Sequence, residues 1–249
     1  MTPRHWLFAL PFAVLAALGA SSCPSGGPSV AQEYRVVPGY VQPQTPGSGD
    51  PLEMAVTPNV ESILGPGPDL NHVSYLRTFV DRADAPPPRT VMILVPGFLG
   101  GAGTFSPLAR ELVAKFNGGL EEWAVDRRPN QLEERRGSGW VQDRIADAQS
   151  FEDVDLAIEQ GVFFYLPEVE GLDTNENGIV DPPFELPDAL GASRSYVALE
   201  QDDMRFAAHW GVDTYVRDWK VVVDEARALV GEDGVVLFGG HSQGTYWAS

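Results

Sequence analysis

Three scarcities bound this chain before any motif is read. Cysteine is the first, since Cys23 is the only one in 249 residues. No internal disulfide can form, so the fold must rest on apolar burial, and a chain of this length can bury one sizeable core. Basic residues are the second: Lys and Arg total 17 against 35 Asp and Glu, a net charge of −18. Such a chain offers no basic face to phosphates, which excludes nucleic-acid binding and suits a soluble, secreted protein. Long apolar runs are the third. The uncharged run from Trp6 to Gly19 is too short to cross a bilayer as a helix.

That short run has the form of a secretory signal, with Arg4 before it and Ala20-Ser21-Ser22 after it, and the signal peptide is placed at residues 1–22. Ala20 to Cys23 resembles a bacterial lipoprotein cleavage site. The resemblance implies a lipid on Cys23 and a membrane anchor in the bacterial cell envelope. Ordinary cleavage, with Cys23 incidental, is the alternative. Residues 23–68 are rich in Pro, Gly and Ser, as in Pro43-Gln44-Thr45-Pro46-Gly47-Ser48-Gly49. Such a stretch is expected to be a tether that lifts a domain off a surface. Tyr34 to Tyr40 and Met54 to Leu64 have room for short strands or a short helix within it.

From residue 69 onward the pattern changes. Val73 to Val80 reads as a strand, and Val91 to Val95 as a second, fully apolar one. Ser106 as N-cap and Pro107 at the first turn start a helix whose apolar face is Leu108, Ala109, Leu112, Val113 and Phe116. Trp123 to Val125 is the third strand. Helical period returns over Val212 to Val230, capped by Asp213 or Thr214 and ended by Gly231. Val235 to Phe238 then reads as a buried strand. Strand and helix alternate, which predicts an α/β fold with a parallel sheet and helices on its faces. Residues 129–210 exceed what a plain crossover needs. This acidic, aromatic insertion, with Trp140, Phe206 and Trp210 among its rings, is expected at the carboxyl edge of the sheet as a cap over substrate, or else as a packed decoration.

The last strand runs into Gly240-His241-Ser242-Gln243-Gly244, which fits G-x-S-x-G. A serine on a sharp strand-to-helix turn needs strained dihedrals, and only Gly at the flanking positions avoids a clash. With this motif the chain from about Val73 onward resembles the α/β-hydrolase superfamily. The resemblance implies that Ser242 is a nucleophile, and that the backbone amides of Gln243 and Phe98 form an oxyanion hole. Phe98 lies in the Gly-rich loop Pro96 to Gly103, and Leu99 is a poorer candidate for the same role.

In that family the triad acid and histidine follow the serine. Here the sequence given ends at Ser249. The chain is therefore expected to be the N-terminal portion of a longer hydrolase, inactive and prone to aggregate by itself. His5 lies in the signal, His241 inside the turn, and His72 and His209 precede the serine. Asp126-Arg127-Arg128 closes the third strand and is expected to be a salt-bridged rim. A dinucleotide reading of the same Gly-rich loop fails at Ser106, where G-x-G-x-x-G, begun at Gly101 and Gly103, needs its third glycine.

Inside the insertion, Asp173, Asn175 and Asn177 stand at alternate positions before Gly178, with Ile179 and Asp181 following. The spacing matches the start of an EF-hand-like loop and makes these residues candidates for a structural Ca²⁺ site, with Phe184 where the bidentate Glu belongs. A solvated Asn/Gly turn is the bland alternative. Two functions follow. The first is a secreted serine hydrolase of carboxylic esters, lipase- or esterase-like, acting on a small-molecule or lipid ester without a required cofactor. The second is a catalytically inactive, calcium-binding cell-surface lipoprotein that presents its domain to a partner.

Overall fold

A computed structural model describes residues 28–81, 87–98, 100–165 and 199–248. The signal segment 1–22, Cys23, Leu99 and the Asp173–Asp181 loop lie outside the described residues. The chain divides into two compact units. The described part of the smaller one is residues 134–165. The larger comprises residues 28–133 and 199–248.

The larger unit is built on a five-stranded open sheet in the order β1-β2-β4-β3-β5. Its strands are β1 (Val30–Pro38), β2 (His72–Val80), β3 (Thr90–Val95), β4 (Leu120–Val125) and β5 (Val235–Gly240). β3 pairs parallel with both β4 and β5, whereas β2 runs antiparallel to β4 and to β1. The sheet is therefore mixed, not wholly parallel as the alternation suggested. The connection explains it. Only residues 81–89 separate β2 from β3, too few for the crossover of a dozen or more residues that would return the chain to the same end.

Helices cover both faces. Val91, Ile93 and Val95 of β3 point to one face, where they bury with Tyr75, Trp123 and Val125. There they meet Trp219, Val222 and Ala226 of α5 (Val212–Val230). Met92 and Leu94 point to the other face, under Val113 of α2 (Ser106–Phe116) and under Ala102 and Phe105 of the 3-10 turn before it. That turn runs straight into α2, so Ser106 is a helical residue and its backbone cap is Phe105. The predicted apolar face of α2 is buried only at Ala109 and Val113, while Leu108 and Phe116 are exposed. On α5 the cap is Gly211 with no side-chain bond, because Asp213 already lies in the first turn and Thr214 is buried. β5 is less buried than expected: Val235, Leu237 and Phe238 are exposed, since among the described residues it has a neighbour only on its β3 side.

Residues 23–68 are not a tether from Val30 onward. β1 pairs along its length with β2, and α1 (Pro58–Leu64) is capped by the Thr57 hydroxyl. Val60 of α1 and nearby Leu70 bury with Leu132, Phe206 and Trp210, and the Trp210 indole donates to Thr45 Oγ1 at 2.7 Å. Both ends of the supposed insertion thus belong to the main body. Each apolar island is too small alone to overcome ordering entropy, and together they form a second core. A buried ion pair ties the same parts. Arg128 Nη2 meets Asp218 Oδ1 of α5 at 2.6 Å and donates to the Tyr40 carbonyl at 2.7 Å, with both side chains almost fully enclosed.

In the smaller unit, α3 (Arg136–Asp147) and α4 (Phe151–Tyr165) pack as a pair. They approach so closely that a Cβ on Gly161 would come within 2.4 Å of the Val141 side chain. The Tyr165 hydroxyl donates to the Glu134 carbonyl at 2.8 Å and accepts from the Ser138 amide at 2.9 Å.

Candidate functional site

The site is assembled from the turns that follow three parallel strands. β3 leads through α2 to β4 on one side of it, and α5 carries the chain back over β3 to β5 on the other. The two connections leave in opposite directions, so a crevice opens beyond the carboxyl ends of β3 and β5, where open α/β sheets place ligands. Ser242 sits there, between β5 and α6 (Gln243–Ala248).

Ser242 adopts φ 56°, the left-handed region. For a serine that conformation costs roughly 1–2 kcal/mol, and the surroundings enforce it. A Cβ on Gly240 would lie 2.3 Å from the Gly244 carbonyl oxygen, and one on Gly244 would lie 2.1 Å from that of Val95. Both flanking glycines are required by backbone atoms that cannot move aside. The His241 amide donates to the Val95 carbonyl at 3.1 Å, which ties the turn to the end of β3. The Gly244 and Thr245 amides return to the carbonyls of His241 and Ser242 at 2.8 and 3.0 Å, starting α6.

The loop after β3 packs against this turn. The position of a Cβ on Gly97 is 3.2 Å from Ser242 Cβ. Gly97 also begins a tight turn, its carbonyl accepting from the Gly100 amide at 3.0 Å. In a trans peptide the next amide points opposite to that carbonyl, so Phe98 N–H faces out of the turn. Among the described residues neither the Phe98 amide nor the Gln243 amide donates to any group. The Phe98 ring is 69% exposed.

Asp126-Arg127-Arg128 is not a rim. Asp126 is buried and accepts from the Ala102 amide at 2.6 Å, while the hydroxyls of Ser74 and Tyr34 donate to its other oxygen. Arg127 Nη2 donates to the carbonyls of Phe98 at 2.5 Å and Gly100 at 2.9 Å. Burial pulls its pKa below the ordinary arginine value. Arg128 is used in the buried pair with Asp218, whose carboxyl burial pushes up while the guanidinium opposes the rise. Sequence reading missed the grip of Asp126 and Arg127 on the loop. Their place directly after a strand beside the crevice was the available signal.

No side chain is hydrogen-bonded to the Ser242 hydroxyl among the described residues. His72 is spent on the Asp69 carbonyl at 2.9 Å, and burial lowers its pKa. His209 ends a 3-10 turn before α5. No group of three or more His, Cys, Asp or Glu is placed to hold a metal among the described residues, and no helix there is long and apolar enough to cross a membrane. A cleft of about 600 Å³ lined by Arg227, Glu232 and Val235 opens at the amino end of β5, the far end from Ser242. Compared with protein-family models, curated proteins and solved structures, the chain matches none.

Proposed function

We propose that this protein is a serine hydrolase of the α/β-hydrolase type that cleaves carboxylic esters through Ser242. The observation that carries the reading is the strained serine at φ 56° on a strand-to-helix turn, beside two backbone amides that have no partner among the described residues. A turn that costs stability and is held by two obligatory glycines calls for a use, and strain of this kind clusters at active sites. The chemistry follows from the parts. Ser242 Oγ attacks the ester carbonyl carbon, and the carbonyl oxygen becomes an oxyanion. The Phe98 and Gln243 amides, held in place before substrate arrives, receive it without reorganising. Collapse expels the alcohol and leaves an acyl-serine, which water hydrolyses in a second passage through the same hole.

A serine needs a base at neutral pH. The reading requires a histidine base with an acid behind it, and α/β-hydrolases carry the three in the order serine, acid, histidine. The same proposal places the protein outside the cytoplasm, anchored in a bacterial envelope through lipid on Cys23, with a structural Ca²⁺ held by Asp173, Asn175, Asn177, Ile179 and Asp181. The exposed Phe98 ring, on the loop that packs against the Ser242 turn, suits an ester with an apolar acyl or alcohol part, a lipid or a small molecule.

The test is labelling by a fluorophosphonate of the product of the full natural reading frame, with Ser242→Ala as control. Labelling that disappears in Ser242→Ala is expected. A folded wild-type protein that stays unlabelled would sink the proposal, and would favour an inactive calcium-binding surface lipoprotein instead.

A further inference from the structure

Two features of the loop after β3 lie outside the acyl transfer itself. The carbonyls of Phe98 and Gly100 converge on one nitrogen of Arg127, at 2.5 and 2.9 Å. Among the described residues that arginine feels Glu133 and Asp126 only through space, and its Nε is buried without a hydrogen-bond partner. Glu133 and Asp126 offset part of the cost of half-burying this guanidinium, but neither takes its N–H donors, which go to the loop carbonyls instead.

Two carbonyl oxygens brought to one point repel each other unless a cation sits between them. Arg127 supplies it, and so closes the loop from its carbonyl side. Asp126, the preceding residue, closes the other end by accepting from Ala102 N–H at 2.6 Å. Between these anchors lies the Gly97–Gly100 turn, whose bond at 3.0 Å sends Phe98 N–H outward. The end of β4 therefore leads into two adjacent residues that clamp the loop from both ends while Gly97 leans on Ser242.

We propose that Arg127 is a positioning residue for the ester hydrolysis inferred above: through the Phe98 and Gly100 carbonyls it fixes the turn that presents the Phe98 amide to the oxyanion. It touches neither substrate nor Ser242. The inference rests on the serine-hydrolase reading and adds the device that preorganises half of its oxyanion hole. Loss of the clamp leaves Ser242 in place but lets the turn drift. A displacement of about 1 Å in a donor is enough to cost on the order of 10- to 100-fold in rate.

The experiment compares wild type, Ser242→Ala, Arg127→Met and the exposed charge control Arg205→Met, each as the full-length product. Hydrolysis of p-nitrophenyl butyrate gives kcat and KM, and a fluorophosphonate titration counts reactive serines. Arg127→Met is expected to keep its titratable serine and to lose about 10- to 100-fold in kcat, with KM within about threefold of wild type. Arg205→Met should match wild type. Amide exchange supplies a readout free of catalysis: the Gly100 amide should lose protection in Arg127→Met while Ile93 in β3 keeps it. If wild type hydrolyses the ester and Arg127→Met does so within twofold, or loses rate only in proportion to lost titratable serine, the positioning role is wrong and the hydrolase reading stands. Unchanged protection at Gly100 would overturn it as well. If wild type neither hydrolyses nor labels, the hydrolase reading falls and takes this inference with it.

Discussion

The carboxyl of Glu122 gives the sharpest prediction about the energetics of the fold. It lies in the middle of β4, opposite Thr78 of β2 and Met92 of β3, and is 1% exposed. Its Oε1 is buried without a hydrogen-bond partner among the described residues. Burial alone pushes its pKa from 4.5 up to about 8. The folded protein therefore keeps this acid protonated at pH values where the unfolded chain has released the proton. Between pH 4.5 and about 8 the unfolded state binds fewer protons, so stability falls as pH rises. A tenfold difference in proton affinity between the two states is worth about 1.4 kcal/mol, which makes the loss on the order of 3 kcal/mol by pH 7 and ~5 kcal/mol above pH 8. Glu122→Gln removes the titration while keeping the shape. Urea unfolding followed by tryptophan fluorescence, at pH 5, 6, 7 and 8, measures the difference between variant and wild type and cancels every other titrating group. The variant should lie within about 1 kcal/mol of wild type at pH 5 and gain steadily above it. Parallel stability curves from pH 5 to 8 would refute the reasoning, because they would mean that the Glu122 carboxyl is solvated or paired in the folded state.

Other consequences are open to direct measurement. Gly244→Ala drives a methyl to 2.1 Å from the Val95 carbonyl oxygen. Overpacking against backbone should cost about 1–3 kcal/mol and abolish fluorophosphonate labelling of Ser242, and a labelled variant of normal melting temperature would contradict the close approach of the two turns. Asp218→Asn strands Arg128, which is 0% exposed in its side chain. It should lower the urea midpoint by the equivalent of about 3–5 kcal/mol, whereas breaking the exposed pair of Arg205 with Asp202 should change it by less than about 1 kcal/mol. Leu237 is 45% exposed on a strand that pairs only with β3 among the described residues. Leu237→Lys should reduce concentration-dependent light scattering without loss of secondary structure. Equal scattering would show that this edge is not where chains associate.

Some of the molecule is legible in local pattern. The apolar run of β3, the helical period of α5 and its glycine stop, and the close-set glycines around Ser242 each encode their conformation within a few residues. Sterics at Gly240 and Gly244 are short-range, and so is the left-handed turn that they permit. The alternation of strands and helices was enough for the α/β class. Strand direction was misread, because the alternation of elements outweighed the shortness of 81–89, which cannot hold a crossover. The depth of residues 30–70 was not legible. Thr45, Val60 and Leu70 stand among prolines and glycines with no period of their own, and they are buried only when Trp210 and Phe206 arrive from far along the chain. The charged trio after β4 shows the same division. Its sequence promised a salt-bridged rim, but tertiary packing turned Asp126 and Arg127 onto the Gly97–Ala102 loop and Arg128 into a buried pair. Local sterics and periodicity let the sequence alone determine the strands β2 to β5, the helices α2 and α5, and where a strained serine turn can form, but not β1, α1, α3 or α4. Burial and the spending of charges arise between residues remote in sequence, so only the tertiary structure decided the sheet order, the second core and the clamp that holds the loop beside Ser242.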